Sequence, residues 1–215
     1  MLLSDIIVRI AVDLNDAAPG HEFTAWSETQ LHFYVQEALD TIFNIRPDLF
    51  IETRIIKMQP CTYVQDTCDC TQIHAVIGQV TESGRIIKRL RMREQGVKQL
   101  WTGWSCPVSP KNFELREYYI DKDTDKLWVF PQVPAGTDVY LMVECSVLPD
   151  ASSSSYDIPG ELVPMVMQWA LYRAKMVDGE SNQLILMAAK EHRAVFENLL
   201  NVSMASQTMQ DTSNE

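Results

Sequence analysis

Three cysteines and a histidine, Cys61, Cys68, Cys70 and His74, fall within fourteen residues. Thiolate sulfur with imidazole nitrogen is a ligand set suited to zinc. The spacing fits poorly, because structural zinc sites use cysteine pairs roughly two to four residues apart on a tight turn, whereas a Cys-x-Cys in an extended strand points both thiols to one face. These cysteines are therefore read as structural or incidental, and a small metal-binding module or metalloenzyme built on Cys61 to His74 is the competing reading.

The histidines are His21, His32, His74 and His192, and none sits in a short motif with a Ser, Cys or carboxylate at a spacing tied to a known mechanism. His192 lies on an apolar helical stripe and is expected to be a core or interface histidine. Carboxylates are abundant, but abundance without a pocket does not make an acid/base pair. The chain has no Gly-x-Gly-x-x-Gly, no phosphate-binding Gly-Lys-Ser/Thr loop, no Gly-x-Ser-x-Gly and no His-Glu-x-x-His. No catalytic residue, cofactor or metal ligand is assigned, and the chain is read as a non-enzyme.

The other concentrated chemistry is cationic. Arg85, Lys88, Arg89, Arg91, Arg93 and Lys98 place a third of the 18 basic residues in fourteen positions, countered there only by Glu94. A solvated strand edge blunted against aggregation is the plain explanation. A docking surface for an acidic neighbour, or transient contact with DNA phosphate, is the functional one. Trp101, Gly103 and Trp104, with Phe113, Tyr118, Tyr119, Trp128 and Phe130, are read as core packing rather than a stacking platform. Met165, Met167 and Met176 are read as adaptable helix packing.

The elements that carry these residues follow from periodicity. Leu3, Ile6, Ile7, Ile10 and Leu14 mark a first amphipathic helix, with Asp5 and Arg9 paired on its other side. Asn15, Asp16, Pro19 and Gly20 end it. Ser27 and Gln30 have capping-box spacing and open a second helix, 27 to 46, stopped by Pro47. From about 49 the period becomes two, which predicts strands at 50–58, 72–80, 85–90, 114–120, 127–130 and 138–147 in a largely antiparallel sheet. Glu82 to Gly84 and Asp121 to Lys126 are the expected turns.

The stretch from Pro149 to Asp157, with four consecutive serines, reads as a flexible connection. A helix apolar nearly all round follows at 160 to 178, with Pro164 tolerated in its first turn. Gly179 separates it from another that starts near Ser181 and carries Leu184, Ile185, Ala188, His192, Val195, Phe196 and Leu199. Residues 201–215 are polar and are expected to be disordered as an isolated chain.

Of the 215 residues, 46% are hydrophobic and 22% charged, within the globular range. A net charge of -11 argues against general affinity for nucleic acid. It suits solubility, and equally a pore wall that DNA slides past. No apolar run reaches the ~18 residues of a membrane span, and neither an anchor nor a signal peptide is read. The expected compartment is a reducing cytoplasm, where five cysteines should be free thiols.

Several segments, taken in order, resemble the podophage-type adaptor, or head-to-tail connector, family of tailed phages. They are Leu2-Leu3-Ser4-Asp5-Ile6-Ile7, the helix start from Trp26 to Leu31, Arg46-Pro47-Asp48, the run from Trp128 to Thr137, and Ala170-Leu171-Tyr172-Arg173-Ala174-Lys175. The resemblance implies an α+β fold: a four-helix bundle, two helices from each end of the chain, with an inserted, largely antiparallel β-rich lobe. The expected division is 1–48 for the first helices, 49–150 for the lobe, 151–200 for the last helices and 201–215 for an extended tail.

The resemblance also implies a structural virion protein of the head-tail neck, assembled in the host cytoplasm. Its partners would be the portal protein, tail or nozzle proteins, and other copies of itself in a dodecameric ring. Genomic DNA would pass through that ring without sequence specificity, and no membrane is involved. Partner contacts are expected at Arg85, Lys88, Arg89, Arg91 and Arg93 and, through a portal-docking tail, at Leu200, Met204 and Met209. Another neck or tail-completion protein is the alternative within the same class.

Overall fold

A computed structural model describes residues 1–20, 22–67, 70–93, 113–150, 156–179 and 182–211, with 202–211 by backbone alone. The class is α+β, with four helices and two four-stranded sheets among the described residues. The chain divides into two compact units: Met1–Ile45 with Pro149–Glu215, and Arg46–Leu148.

In the helical unit, α1 (Leu3–Asp13) buries Leu3, Ile6, Ile7, Ile10 and Ala11, the one-sided set that 3.6-residue periodicity produces. Among the described residues no ion pair joins Asp5 to Arg9, contrary to expectation. Asn15 takes a positive φ of 58°, its amide donates to the Val12 carbonyl at 3.0 Å, and that of Asp16 donates to Ala11 at 2.8 Å. This is the left-handed C-terminal cap that satisfies the last carbonyls of a helix.

α2 (Glu28–Ile45) opens with the expected capping box. The Gln30 amide donates to Ser27 Oγ at 3.2 Å, and the Ser27 amide donates to Gln30 Oε1 at 3.0 Å. α3 (Val163–Asp178) has Pro164 in its first turn and ends at Gly179. A Cβ on Gly179 would lie 3.0 Å from the Lys175 carbonyl oxygen and 3.1 Å from Leu186 Cα, so a side chain there requires the backbone of the passage into α4 to give by a few tenths of an ångström. α4 (Gln183–Asp211) is capped by Asn182, whose Oδ1 accepts the Leu184 amide at 3.0 Å.

α1 packs on α2 and α3, α2 on α3, and α3 on α4. Arg173 Nε donates to Glu37 Oε2 at 2.9 Å, tying α3 to α2. Trp169 of α3 meets Phe196 of α4 with ring centroids 4.8 Å apart, and Phe196 is fully buried. Met165 is buried and Met167 and Met176 are half-buried, in keeping with a packing role.

The C-terminal expectation needs correction: residues 201–211 continue α4 rather than forming a disordered, extended tail. No Gly or Pro interrupts the chain after Gly179, and extending an existing helix avoids the cost of nucleating one. The serine-rich stretch at 151–155 lies outside the described residues.

In the β unit, a short 3-10 turn at Pro47–Phe50 leads into β1 (Ile51–Lys57). The remaining strands are β2 (Val64–Gln65), β3 (Cys70–Val80), β4 (Ile86–Lys88), β5 (Arg91–Met92), β6 (Glu117–Asp121), β7 (Lys126–Phe130) and β8 (Tyr140–Val147). One sheet runs β1-β8-β3-β4 and the other β2-β7-β6-β5. All described pairings are antiparallel except β5 on β6. β2 and β5 are two-residue strands that periodicity could not register.

Ile56, Leu115, Leu127, Val129, Leu141, Val143 and Cys145 form one buried core between the two sheets. Tyr63 stacks on Phe130 with centroids 6.4 Å apart, beside buried Tyr119 and half-buried Trp128. Tyr118 and Phe113 pack into the larger core, so these described aromatics serve packing. Trp101, Gly103 and Trp104 lie outside the described residues.

Candidate functional site

At Cys61, Cys70 and Cys145 the expected free thiols are overturned by the structure, while Cys68 and Cys106 lie outside the described residues. Cys70 of β3 and Cys145 of β8 form a disulfide with Cα atoms 5.6 Å apart, and Cys61 is disulfide-bonded as well. The antiparallel pairing of β3 with β8 brings together two residues 75 apart in sequence, a proximity that local spacing cannot reveal. A sulfur already bonded to sulfur is not a thiolate ligand.

His74 is committed elsewhere too. Ser146 Oγ donates its one proton to the Pro47 carbonyl at 2.6 Å, so at 2.7 Å it can only accept from His74 Nε2. Among the described residues no group of three His, Cys, Asp or Glu side chains is placed to hold a metal ion.

A cleft of about 430 Å³ in the β unit is lined by Gln59, Gln65, Asp66 and Thr67 among others. Its buried amide is already occupied. Gln65 Oε1 accepts the Gln59 amide at 2.6 Å, and Nε2 donates to the carbonyls of Thr62 at 3.0 Å and Gln59 at 3.3 Å.

The basic segment takes shape from the turn before it. Gly84, with φ +85°, closes the hairpin from β3 to β4, where the Thr81 amide donates to the Arg85 carbonyl at 2.9 Å and the Arg85 amide to Thr81 Oγ1 at 3.1 Å. The chain then follows β4, one edge of the first sheet, and β5, one edge of the second. Residues 85–92 thus form one rim of the β unit.

Two of its cations have partners that the local sequence conceals. Lys88 Nζ reaches Glu114 Oε2 at 2.7 Å, and Arg93 makes a two-pronged bond to Glu117 at 2.8 and 2.9 Å. These bonds hold the Glu114 carboxyl below its ordinary pKa and raise that of Arg93. Glu94 and Lys98 lie outside the described residues. Arg85, Arg89 and Arg91 are exposed and form no ion pair among the described residues. Between and beside them Ile86, Ile87 and Met92 are exposed, so the rim alternates cation and hydrocarbon.

The C-terminal candidates fall differently. Leu200 is buried in the helical unit, so its side chain is occupied there. Met204 and Met209 lie on the last turns of α4, with side chains outside the described residues.

Charge is divided unequally between the units. The helical unit carries five Lys and Arg against sixteen Asp and Glu, which is the entire net charge of -11, while the β unit balances thirteen against thirteen. The sequence contains this division, but it becomes visible only once the unit boundaries are known. Among the described residues no helix is long and apolar enough to cross a membrane.

The described residues offer two contrasting surfaces: one neutral β unit with a cationic, apolar rim, and one strongly acidic helical unit. No curated protein matches the chain. A model of the family described as SU10 adaptor protein matches residues 1–214. The chain belongs to that family and is a phage adaptor, a structural protein of the virion neck.

Proposed function

We propose that this protein joins the portal of a phage head to the tail as a ring of copies, twelve in number, with genomic DNA passing through the centre. The family match over residues 1–214 carries the reading. The concentration of the whole net charge in the helical unit supports it, since a wall of carboxylates repels phosphate and lets a duplex slide without sticking. The four helices are read as one bundle framing the β insertion, with the end of α4 reaching the portal and the opposite side receiving tail or nozzle proteins. Assembly takes place in the host cytoplasm.

The experiment is capture of the purified chain by isolated portal, with a second chain ending at Leu200. Retention of the full chain and loss of the shortened one is the expected result. Failure of the full chain to bind sinks the adaptor reading, and equal binding of both chains sinks only the assignment of 201–215 to the portal contact.

A further inference from the structure

The helical unit leaves a second apolar face uncovered. On α4, Leu184, Met187 and Val195 are 77%, 57% and 44% exposed. With Glu191 they fall on one stripe of the helix, on the side away from the buried Ala189, Phe196 and Leu200. A row of uncovered aliphatic side chains, rather than one alone, marks an interaction surface.

Beside the first turn of α4 opens a cavity of about 310 Å³, lined by Leu14, Trp26, Leu184, Ile185 and Ala188 and also by Asp13, Asp178 and Lys175. Lys175 Nζ is turned to His192 Nε2 at 2.9 Å. Asp13 and Asp178 are exposed, and neither has an ion-pair partner among the described residues. Apolar walls with two carboxylates that have no ion-pair partner among the described residues suit a long cationic side chain, whose stem lies on hydrocarbon while its head meets the charge.

The same chain carries the complement. On the rim of the β unit, Arg85, Arg89 and Arg91 stand exposed and unpaired among the described residues, and Ile86, Ile87 and Met92 are exposed beside them. The unit that bears this rim is neutral overall, and the unit that bears the cavity holds the full -11.

We infer that the rim of one copy docks on the outer stripe of α4 in a second copy, with one rim arginine entering the cavity between Asp13 and Asp178 while Ile86, Ile87 and Met92 cover Leu184 and Met187. The contact rests on the adaptor reading for its setting and supplies the residues of the copy-to-copy interface. Because the two patches differ, copies add head to tail, and such a contact closes into a ring when its rotation divides a full turn. The opposite charges set register and encounter, and the apolar residues give the contact its dry area.

The test is a charge exchange on the full chain, read by sedimentation at about 50 mM salt, where screening is weak. One variant inverts the rim (R85E/R89E/R91E) and the other inverts the cavity (D13K/D178K). The wild-type chain is expected to self-associate, and each variant alone to do so at least about tenfold more weakly. An equimolar mixture is expected to recover, since each inverted patch then faces its complement; recovery also shows that both variants are folded. A monomeric wild type, a variant that self-associates like wild type, or a mixture that does not recover overturns the contact. The same holds if the rim variant loses only affinity for duplex DNA. Portal capture separates the two readings: copies that associate through this contact but are not retained by portal sink the adaptor reading alone, and a retained chain whose variants behave as wild type sinks the contact alone.

Discussion

Lys175 Nζ lies 2.9 Å from His192 Nε2, and because an ammonium only donates, that nitrogen is the acceptor. The proton sits on Nδ1, which donates to Gln168 Oε1 at 2.7 Å. Two residues of α3 thus hold a neutral imidazole of α4. Burial and then Lys175 lower the pKa of His192, against a weaker upward pull from Glu191 and Asp13.

A folded-state pKa below the ordinary 6.5 means that the unfolded chain binds the proton more readily. The stabilisation is complete above 6.5 and is lost as pH falls through the folded-state value. Melting temperature should therefore drop between pH 8 and 5 more steeply in the wild type than in His192→Gln, which keeps polar groups but does not titrate. Parallel curves for the two chains would show that His192 carries none of the pH dependence.

Asp16 organises the loop before α2. Its carboxylate accepts the amides of Thr24 at 3.0 Å, Ala25 at 3.1 Å and Trp26 at 2.8 Å, and the Thr24 hydroxyl at 2.8 Å. The Trp26 amide is the largest cause of its lowered pKa, with burial opposing and the other bonds assisting. Since the folded value lies below the ordinary 3.8, this contribution is present above that pH and is lost as pH falls through the folded value. Asp16→Ala should lower the melting temperature by several degrees at neutral pH, with the deficit shrinking in acid. An unchanged melting curve at pH 7 would mean that the loop is held without the carboxylate.

The Cys70–Cys145 disulfide should matter most to the β unit. It closes a loop 75 residues apart in sequence, for which restriction of the unfolded chain contributes about 4 kcal/mol in the chain-entropy model. Dithiothreitol, or the pair Cys70→Ala with Cys145→Ala, is expected to lower the melting temperature of the chain, and mass spectrometry without reductant should recover the linked peptides. Free thiols at both positions in virion-derived protein would remove the bond from the mature state.

What the sequence made legible follows from how local each signal is. The stripe Leu3, Ile6, Ile7, Ile10 and the Ser27/Gln30 box are set within one or two helical turns, and both are found where periodicity places them. The Cys70–Cys145 bond and the Lys88–Glu114 pair depend on partners 75 and 26 residues away, so neither is readable before the sheets are known. The reach of α4 to Asp211 is less legible for another reason: residues 201–211 are mostly polar, and Val202, Met204, Ala205 and Met209 are their few apolar side chains. The basic run at 85–93 was visible as composition. Which arginines remain unpaired was not, because Glu114 and Glu117 neutralise two of its cations from a strand and a loop later in the chain.

Gly78 should control the shape of the rim. In β3 it lies beside the end of β4 in the same sheet, and a Cβ built on it would stand 2.5 Å from the Lys88 carbonyl oxygen and 3.4 Å from Arg89 Cα. Both are backbone atoms, so no side chain can rotate away, and the β4 edge itself must shift. Gly78→Ala is expected to destabilise the β unit by about 1–3 kcal/mol, the usual range for overpacking, and to move Arg89 relative to Arg85, which is anchored by the Thr81 turn. Asp138→Asn, which removes the exposed negative charge that Lys57 meets at 2.7 Å on the far edge strand, should leave the melting temperature nearly unchanged and serves as the control. If Gly78→Ala melts like that control and self-associates like wild type, the close approach of β3 to β4 does not set the rim. If it stays folded at 25 °C yet self-associates more weakly, the geometry of residues 85–92, and not their charge alone, carries the contact.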